Sequence, residues 1–219
     1  TSFTGEDSLD IAIETGNADA PGITEFGGTT YGTEALTVDA VTYTFPLGDS
    51  TLVMVGDNSD ASSLFTTACA YGGPSDTLDD CGNRNANVDN GGVFAAASYD
   101  FGNGLTAALG WAGQENDVMN EEGIDAYGAN VAYTADNYGV SFTYGAIEDG
   151  ASRLATQNQM GVDTAYAVNG YFTPSTDGLP SISVGYEIGD DESAADGVDD
   201  YSNFFAGLQW DEVGAGTVS

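Results

Sequence analysis

The connections between this chain's alternating segments run short, long, short, long, and that rhythm constrains its fold more than any other feature. Short ones fall at Gly48-Asp49, Gly102-Asn103-Gly104, Ala135-Asp136-Asn137 and Pro174 to Leu179. Long acidic ones lie between them, from Gly56 to Gly91, Gly113 to Gly123, Glu148 to Gly161 and Gly189 to Asp200. A water-soluble β-sandwich has no reason to gather its long loops at one end. A barrel through an outer membrane does, because its antiparallel strands go up and down between tight turns on one side and longer loops on the other. The expectation is that Asp49, Asn103, Asp136 and Thr176 share one end, and that Asn58, Asp80, Asn116, Asp149 and Asp191 share the other.

Period-two alternation supports the same fold. Val93, Ala95, Ala97, Tyr99, Phe101, Leu105, Ala107, Leu109 and Trp111 fall on one face of a hairpin, with Ala96, Ser98, Asp100, Thr106, Ala108 and Gly110 opposite. The next hairpin sets Tyr127, Ala129, Val131, Tyr133, Tyr138, Val140, Phe142 and Tyr144 against Gly128, Asn130, Ala132, Ser141 and Thr143. Ile182, Val184, Tyr186 and Ile188 alternate with Ser181, Ser183, Gly185 and Glu187, and Phe204 to Trp210 continues the scheme except at Phe205. Thr51 to Val55 is apolar on both parities, so its orientation stays open. These segments run about nine to eleven residues, the length with which a tilted strand crosses a bilayer. Large apolar side chains on one face and small polar ones on the other predict a lipid-facing wall around a watery lumen. Tyr99, Phe101, Tyr133, Tyr138, Phe172 and Trp210 lie beside short turns, and Trp111 and Tyr144 towards long loops, where aromatic girdles would sit.

Composition narrows the function. Arg84 and Arg153 are the only basic residues against 35 acidic ones, with no histidine and a formal net charge of -33. Nucleic acid is excluded as a partner, since neutralising phosphates takes Lys and Arg. With 41% hydrophobic and 11% aromatic residues the chain is no acidic disordered segment. No run approaches the roughly 20 apolar residues of a transmembrane helix, so a membrane passage requires a closed barrel. Without histidine there is no Ser-His-Asp triad, and neither a Gly-x-Ser-x-Gly elbow nor a phosphate-binding glycine loop occurs. The chain reads as a non-enzyme. Thr1 to Thr4 and Thr217 to Ser219 both look strand-like, so residues 1–219 read as an interior portion of one larger barrel domain.

The opening Thr1-Ser-Phe-Thr-Gly5, with a strand ending in Gly16-Asn17, resembles the first hairpin of cyanobacterial outer-membrane porins, relatives of the carbohydrate-selective porin family. Val41 to Asp49 and Tyr99 to Leu105 resemble hairpins of the same family. The resemblance implies an all-β transmembrane antiparallel up-and-down barrel of about sixteen strands, of which about eleven are visible. It also implies a homotrimer in the outer membrane of a Gram-negative-type bacterium, a cyanobacterium, passing small hydrophilic solutes, carbohydrates or ions.

Candidate pore-lining residues are Asp100, Asn130, Ser141, Thr143, Asn169, Glu187 and Gln209, all on the polar parity. The longest connection is the one able to fold inward, which makes Arg84, Asp79 and Asp80 candidates for a constriction, against the plainer reading of a surface arginine among carboxylates. Cys69 and Cys81, in the same connection, form a disulfide in an oxidising compartment or stand as two nearby free thiols. Acidic loops gathered at one end would favour cations over anions. Asp190, Asp191, Glu192 and Asp196 offer oxygen ligands for loosely bound Ca²⁺ without EF-hand spacing, and no other cofactor is expected. The competing reading is a secreted acidic β-sandwich or adhesin with Ca²⁺-binding surface loops.

Overall fold

Strand formation follows the alternation. The computed structural model describes residues 3, 5–16, 33–72, 81–88, 92–114, 118, 123–148, 162–176, 178–190, 200–213 and 216–219. They form β1 (Ser8–Gly16), β2 (Thr33–Pro46), β3 (Thr51–Asp57), β4 (Val93–Gly102), β5 (Leu105–Gly113), β6 (Asp125–Thr134), β7 (Tyr138–Ile147), β8 (Thr164–Phe172), β9 (Ser181–Asp190), β10 (Asp200–Val213) and β11 (Gly216–Val218). A short 3-10 helix spans Ala61–Leu64, and there is no α-helix among the described residues.

The strands pair in chain order, β1 to β11, as one 11-stranded sheet. Each neighbouring pair is antiparallel. An up-and-down order places alternate connections at opposite ends, so the turns at Asp49, Asn103, Asp136 and Thr176 share one end. They are tied to each other: the Asp100 N–H donates to the Ser50 carbonyl at 2.8 Å, Thr134 to Gly104 at 2.9 Å, and Thr173 to Asn137 at 2.8 Å. Gly102, Asn103 and Gly104 all take positive φ, 78°, 56° and 83°. That backbone matches a right-twisted hairpin and suits Gly and Asn. Asn58 lies at the opposite end, its N–H donating to the Gly92 carbonyl at 2.9 Å. Asp80, Asn116, Asp149 and Asp191, expected beside it, fall outside the described residues.

The two faces differ as the alternation predicts. Tyr127, Val131, Val140, Phe142, Val168, Tyr186 and Ile188 are exposed on a bare face. Register stacks them side by side, Val131 opposite Phe142, Phe142 opposite Val168, and Val168 opposite Tyr186. The other face is built from Ala, Gly, Ser and Asn and is covered. Its core lies between the sheet and the β3–β4 connection, where Met54, Phe94, Ala96, Ala112, Ala126 and Ile147 enclose Ala61 and Val88. β3 resolves accordingly: Val53 and Val55 join the bare face through register with Phe45 and Tyr43, and Met54 turns under the connection.

Candidate functional site: a strap across the polar face

The β3–β4 connection lies against the polar face as a two-legged strap. Its outgoing leg, residues 65–72, crosses strands rather than pairing with one, so its amides bond to side chains. Every second N–H is used. Thr66 donates to Asn130 Oδ1 at 2.9 Å, Ala68 to Ser141 Oγ at 2.9 Å, Ala70 to Ser183 Oγ at 2.9 Å, and Gly72 to Gln209 Oε1 at 2.7 Å. Those acceptors stand on β6, β7, β9 and β10, so the leg runs across the sheet from β6 to β10. An extended segment presents alternate amides to one side, and a row of short polar side chains is what can meet them.

The return leg, residues 81–88, offers carbonyls and amides in turn. Asn169 Nδ2 donates to the Cys81 carbonyl at 2.8 Å and Asn203 Nδ2 to the Gly82 carbonyl at 3.0 Å. Glu187 then receives a cluster of donors. The Asn85 N–H lies 2.9 Å from Oε2 and 3.1 Å from Oε1, Asn85 Nδ2 lies 3.1 Å from Oε1, and the Ala86 N–H lies 2.9 Å from Oε2. Glu187 is completely buried. A buried carboxylate is tolerated where several N–H groups converge on it. The leg closes on the start of the strap, where the Ala61 N–H donates to the Val88 carbonyl at 3.0 Å. Cys69 and Cys81 join the legs in a disulfide, with Cα atoms 6.2 Å apart.

Backbone can approach the sheet this closely because the wall lacks side chains where it passes. Gly110, Gly128 and Gly145 are consecutive in register across β5, β6 and β7. A Cβ on Gly145 would stand 2.6 Å from the Asn87 carbonyl oxygen, and one on Gly128 would stand 2.5 Å from Val88 Cγ2. Gly185 meets the Cys81 carbonyl in the same way. Phe205, which interrupts the alternation of β10, is buried because it turns to this face and packs edge-on against Tyr71 of the strap, ring centroids 5.3 Å apart.

The sequence candidates divide sharply. Asn130, Ser141, Asn169, Glu187 and Gln209 lie together on the polar face and bond to the strap, while Thr143 receives Asn130 Nδ2 at 2.9 Å. Asn130, Ser141, Thr143, Asn169 and Glu187 are buried, so they hold the strap and do not face open space. Glu187 belongs to the interior of β9. Asp100 is exposed beside the turn, its Oδ1 accepting the Gly102 N–H at 2.7 Å. Arg84 is exposed on the return leg. Asp79, Asp80, Asp191, Glu192 and Asp196 fall outside the described residues; Asp190 is exposed at the end of β9, and no cluster of metal ligands occurs among the described residues.

Sequence reasoning missed Ser183, Asn203 and the strap amides. Their one signal was the glycine row opposite the longest connection, since inward glycines on adjacent strands mark a close backbone approach. No family model matches the chain, and no curated protein matches it.

Proposed function

We propose that the sheet is the wall of an outer-membrane porin, closing as a β-barrel around a water-filled passage for small hydrophilic solutes and ions. The observation that carries this reading is the division between the faces. A bare face of large apolar side chains stands exposed across β3 to β9. A soluble monomer seldom exposes contiguous apolar surface beyond a few hundred Å². Lipid accounts for that face, while the strap and small polar residues account for the other. Aromatic rings gather at both margins: Tyr133 with Tyr138 at the short-turn end, ring centroids 5.9 Å apart, and towards the long connections Tyr144 with Tyr127 and Tyr166, ring centroids 6.3 and 5.1 Å away. Tyr127 and Tyr133 are six residues apart on β6. That separation is about 20 Å along a strand, near the height of a barrel's apolar band.

A sandwich or adhesin needs a second sheet to cover the apolar face, and the described residues form a single sheet. In the pore reading the strap narrows the passage, and Arg84 is the cation on it. Extraction and conductance test this. The protein requires detergent, migrates faster before boiling than after, and opens stepwise conductances in a planar bilayer. Recovery from a salt wash as a soluble monomer, without channel activity, refutes the proposal.

A further inference from the structure

The two margins of the bare face are chemically unlike. At the short-turn end β6 to β9 finish it with Tyr133, Tyr138, Phe172 and Ile182. At the long-connection end the same parity passes from tyrosine to carboxylate. Asp125 precedes Tyr127 on β6, Glu148 lies one residue past β7 on the parity of Tyr144, Asp190 follows Ile188 on β9, and Asp200 opens β10 on the parity of Phe204. The ladder sets their spacing: the Glu148 N–H donates to the Asp125 carbonyl at 3.0 Å, the Asp125 N–H lies 3.4 Å from Glu148 Oε2, and Asp190 is the register partner of Asp200. Gly113 shows which side they take. A Cβ there, on the parity of Leu109 and Trp111, would stand 2.8 Å from Asp125 Oδ1 and 2.9 Å from Trp111 Cζ2, so carboxylate and indole flank one point of the bare face. No lysine or arginine stands on this face among the described residues; Arg84 belongs to the strap, and Arg153 lies outside them.

We propose that this margin takes lipid headgroups carrying a primary ammonium outside their phosphate, in preference to anionic ones. The inference rests on reading the bare face as lipid-facing and names the lipid. Moving outward, the face presents apolar side chains such as Val131 and Phe142, then the hydroxyls of Tyr127, Tyr144 and Tyr166, then carboxylates. An ethanolamine phospholipid presents acyl chains, phosphate oxygens and ammonium in the same order. Tyrosine O–H groups donate to the phosphate, and the ammonium donates to the carboxylates, a charge-assisted pairing. A phosphoglycerol headgroup ends in hydroxyls and keeps its negative charge, so it meets like charge and none of the basic residues that hold proteins to anionic leaflets. A choline headgroup keeps the cation but has no N–H to donate.

Trp111 reports on this margin, because its register partner is Tyr127 and its ring lies beside Asp125. Trp210→Phe leaves it the only tryptophan of the chain. The test is quenching of Trp111 fluorescence in the reconstituted full chain by phospholipids brominated on their acyl chains, with ethanolamine, choline and glycerol headgroups in competition at low salt. The ethanolamine lipid binds about threefold more tightly than the choline lipid, and the glycerol lipid about threefold more weakly. Asp125→Asn with Glu148→Gln, which keeps an oxygen for the Asp125 N–H, levels the three. Glycerol lipid binding as tightly as ethanolamine lipid, or an ethanolamine preference that survives the double variant, overturns the proposal while leaving the face in lipid. Absence of quenching by all three brominated lipids removes lipid from the face, and overturns both this proposal and the reading beneath it.

Discussion

Replacing Glu187 with alanine removes the acceptor on which the return leg converges. Two backbone N–H groups, of Asn85 and Ala86, lose their partner, as does Asn85 Nδ2. Asn85 and Ala86 are buried, so water cannot readily replace the carboxylate. Each stranded donor costs about 1–3 kcal/mol, and the relief of no longer burying a carboxylate offsets part of the sum. The net loss falls on strap docking rather than on the sheet, at about 3 kcal/mol. Native-state hydrogen exchange in detergent reads it directly: amides of residues 85 and 86 exchange roughly a hundredfold faster, while those of β6 and β7 keep their rates. Glu187→Gln keeps one acceptor oxygen and turns an amide N–H towards the other donors, so it accelerates the same amides by roughly tenfold. Unchanged protection at Asn85 and Ala86 in the alanine variant refutes the anchoring role. Acceleration spread evenly over the strands refutes the separation of strap from sheet.

Gly145→Val pushes a side chain into the Asn87 backbone, whose N and O would lie 2.8 and 2.6 Å from the new Cβ. Overpacking of this kind costs about 1–3 kcal/mol and appears as lost protection of the return leg and a lower melting temperature; an unaltered melt counts against close docking. Replacing Cys69 and Cys81 together with serine releases a closed loop worth about 3 kcal/mol in the chain-entropy model, so exchange at 66–72 quickens even with the hydrogen bonds intact. Equal rates in the two forms would show that the wall contacts alone fix the strap. With a net charge of -33, the proposed pore is expected to pass K⁺ more readily than Cl⁻ in a KCl gradient, with a preference that fades as salt shortens the screening length. A reversal potential favouring anions at low salt would mean that local positive charge at the constriction, such as Arg84, outweighs the acidic surface.

The strands and their order were legible because alternation and turn chemistry are local, and each hairpin carries both. The apolar parity of β4 to β9 emerges in the structure as the bare face residue by residue, and the turn at Gly102-Asn103-Gly104 adopts the positive φ its composition invites. β3 was ambiguous because both of its faces are apolar for different reasons. Val55 belongs to the bare face, whereas Met54 is apolar because the strap covers it. Phe205 broke the pattern for the same cause, its partner Tyr71 being 134 positions earlier in the chain.

The strap itself left little local trace, and the physics explains why. Its outgoing leg bonds to side chains on four strands, so neither an apolar period nor a paired strand announces it. A wall of Ser, Asn and Gly fits water and backbone equally well, since both are small and both offer hydrogen-bond donors. Glu187 separates the alternatives. In a solvated lumen its carboxylate could point anywhere, and the residues opposite it would be immaterial. Here two consecutive amides and an amide side chain converge on it from residues 101 and 102 positions earlier in the chain. A charged group so placed accepts one docking register and penalises its neighbours, because a slip by one residue strands the donors it now satisfies. The wall's small residues permit the strap; the buried carboxylate of Glu187 fixes where it lies.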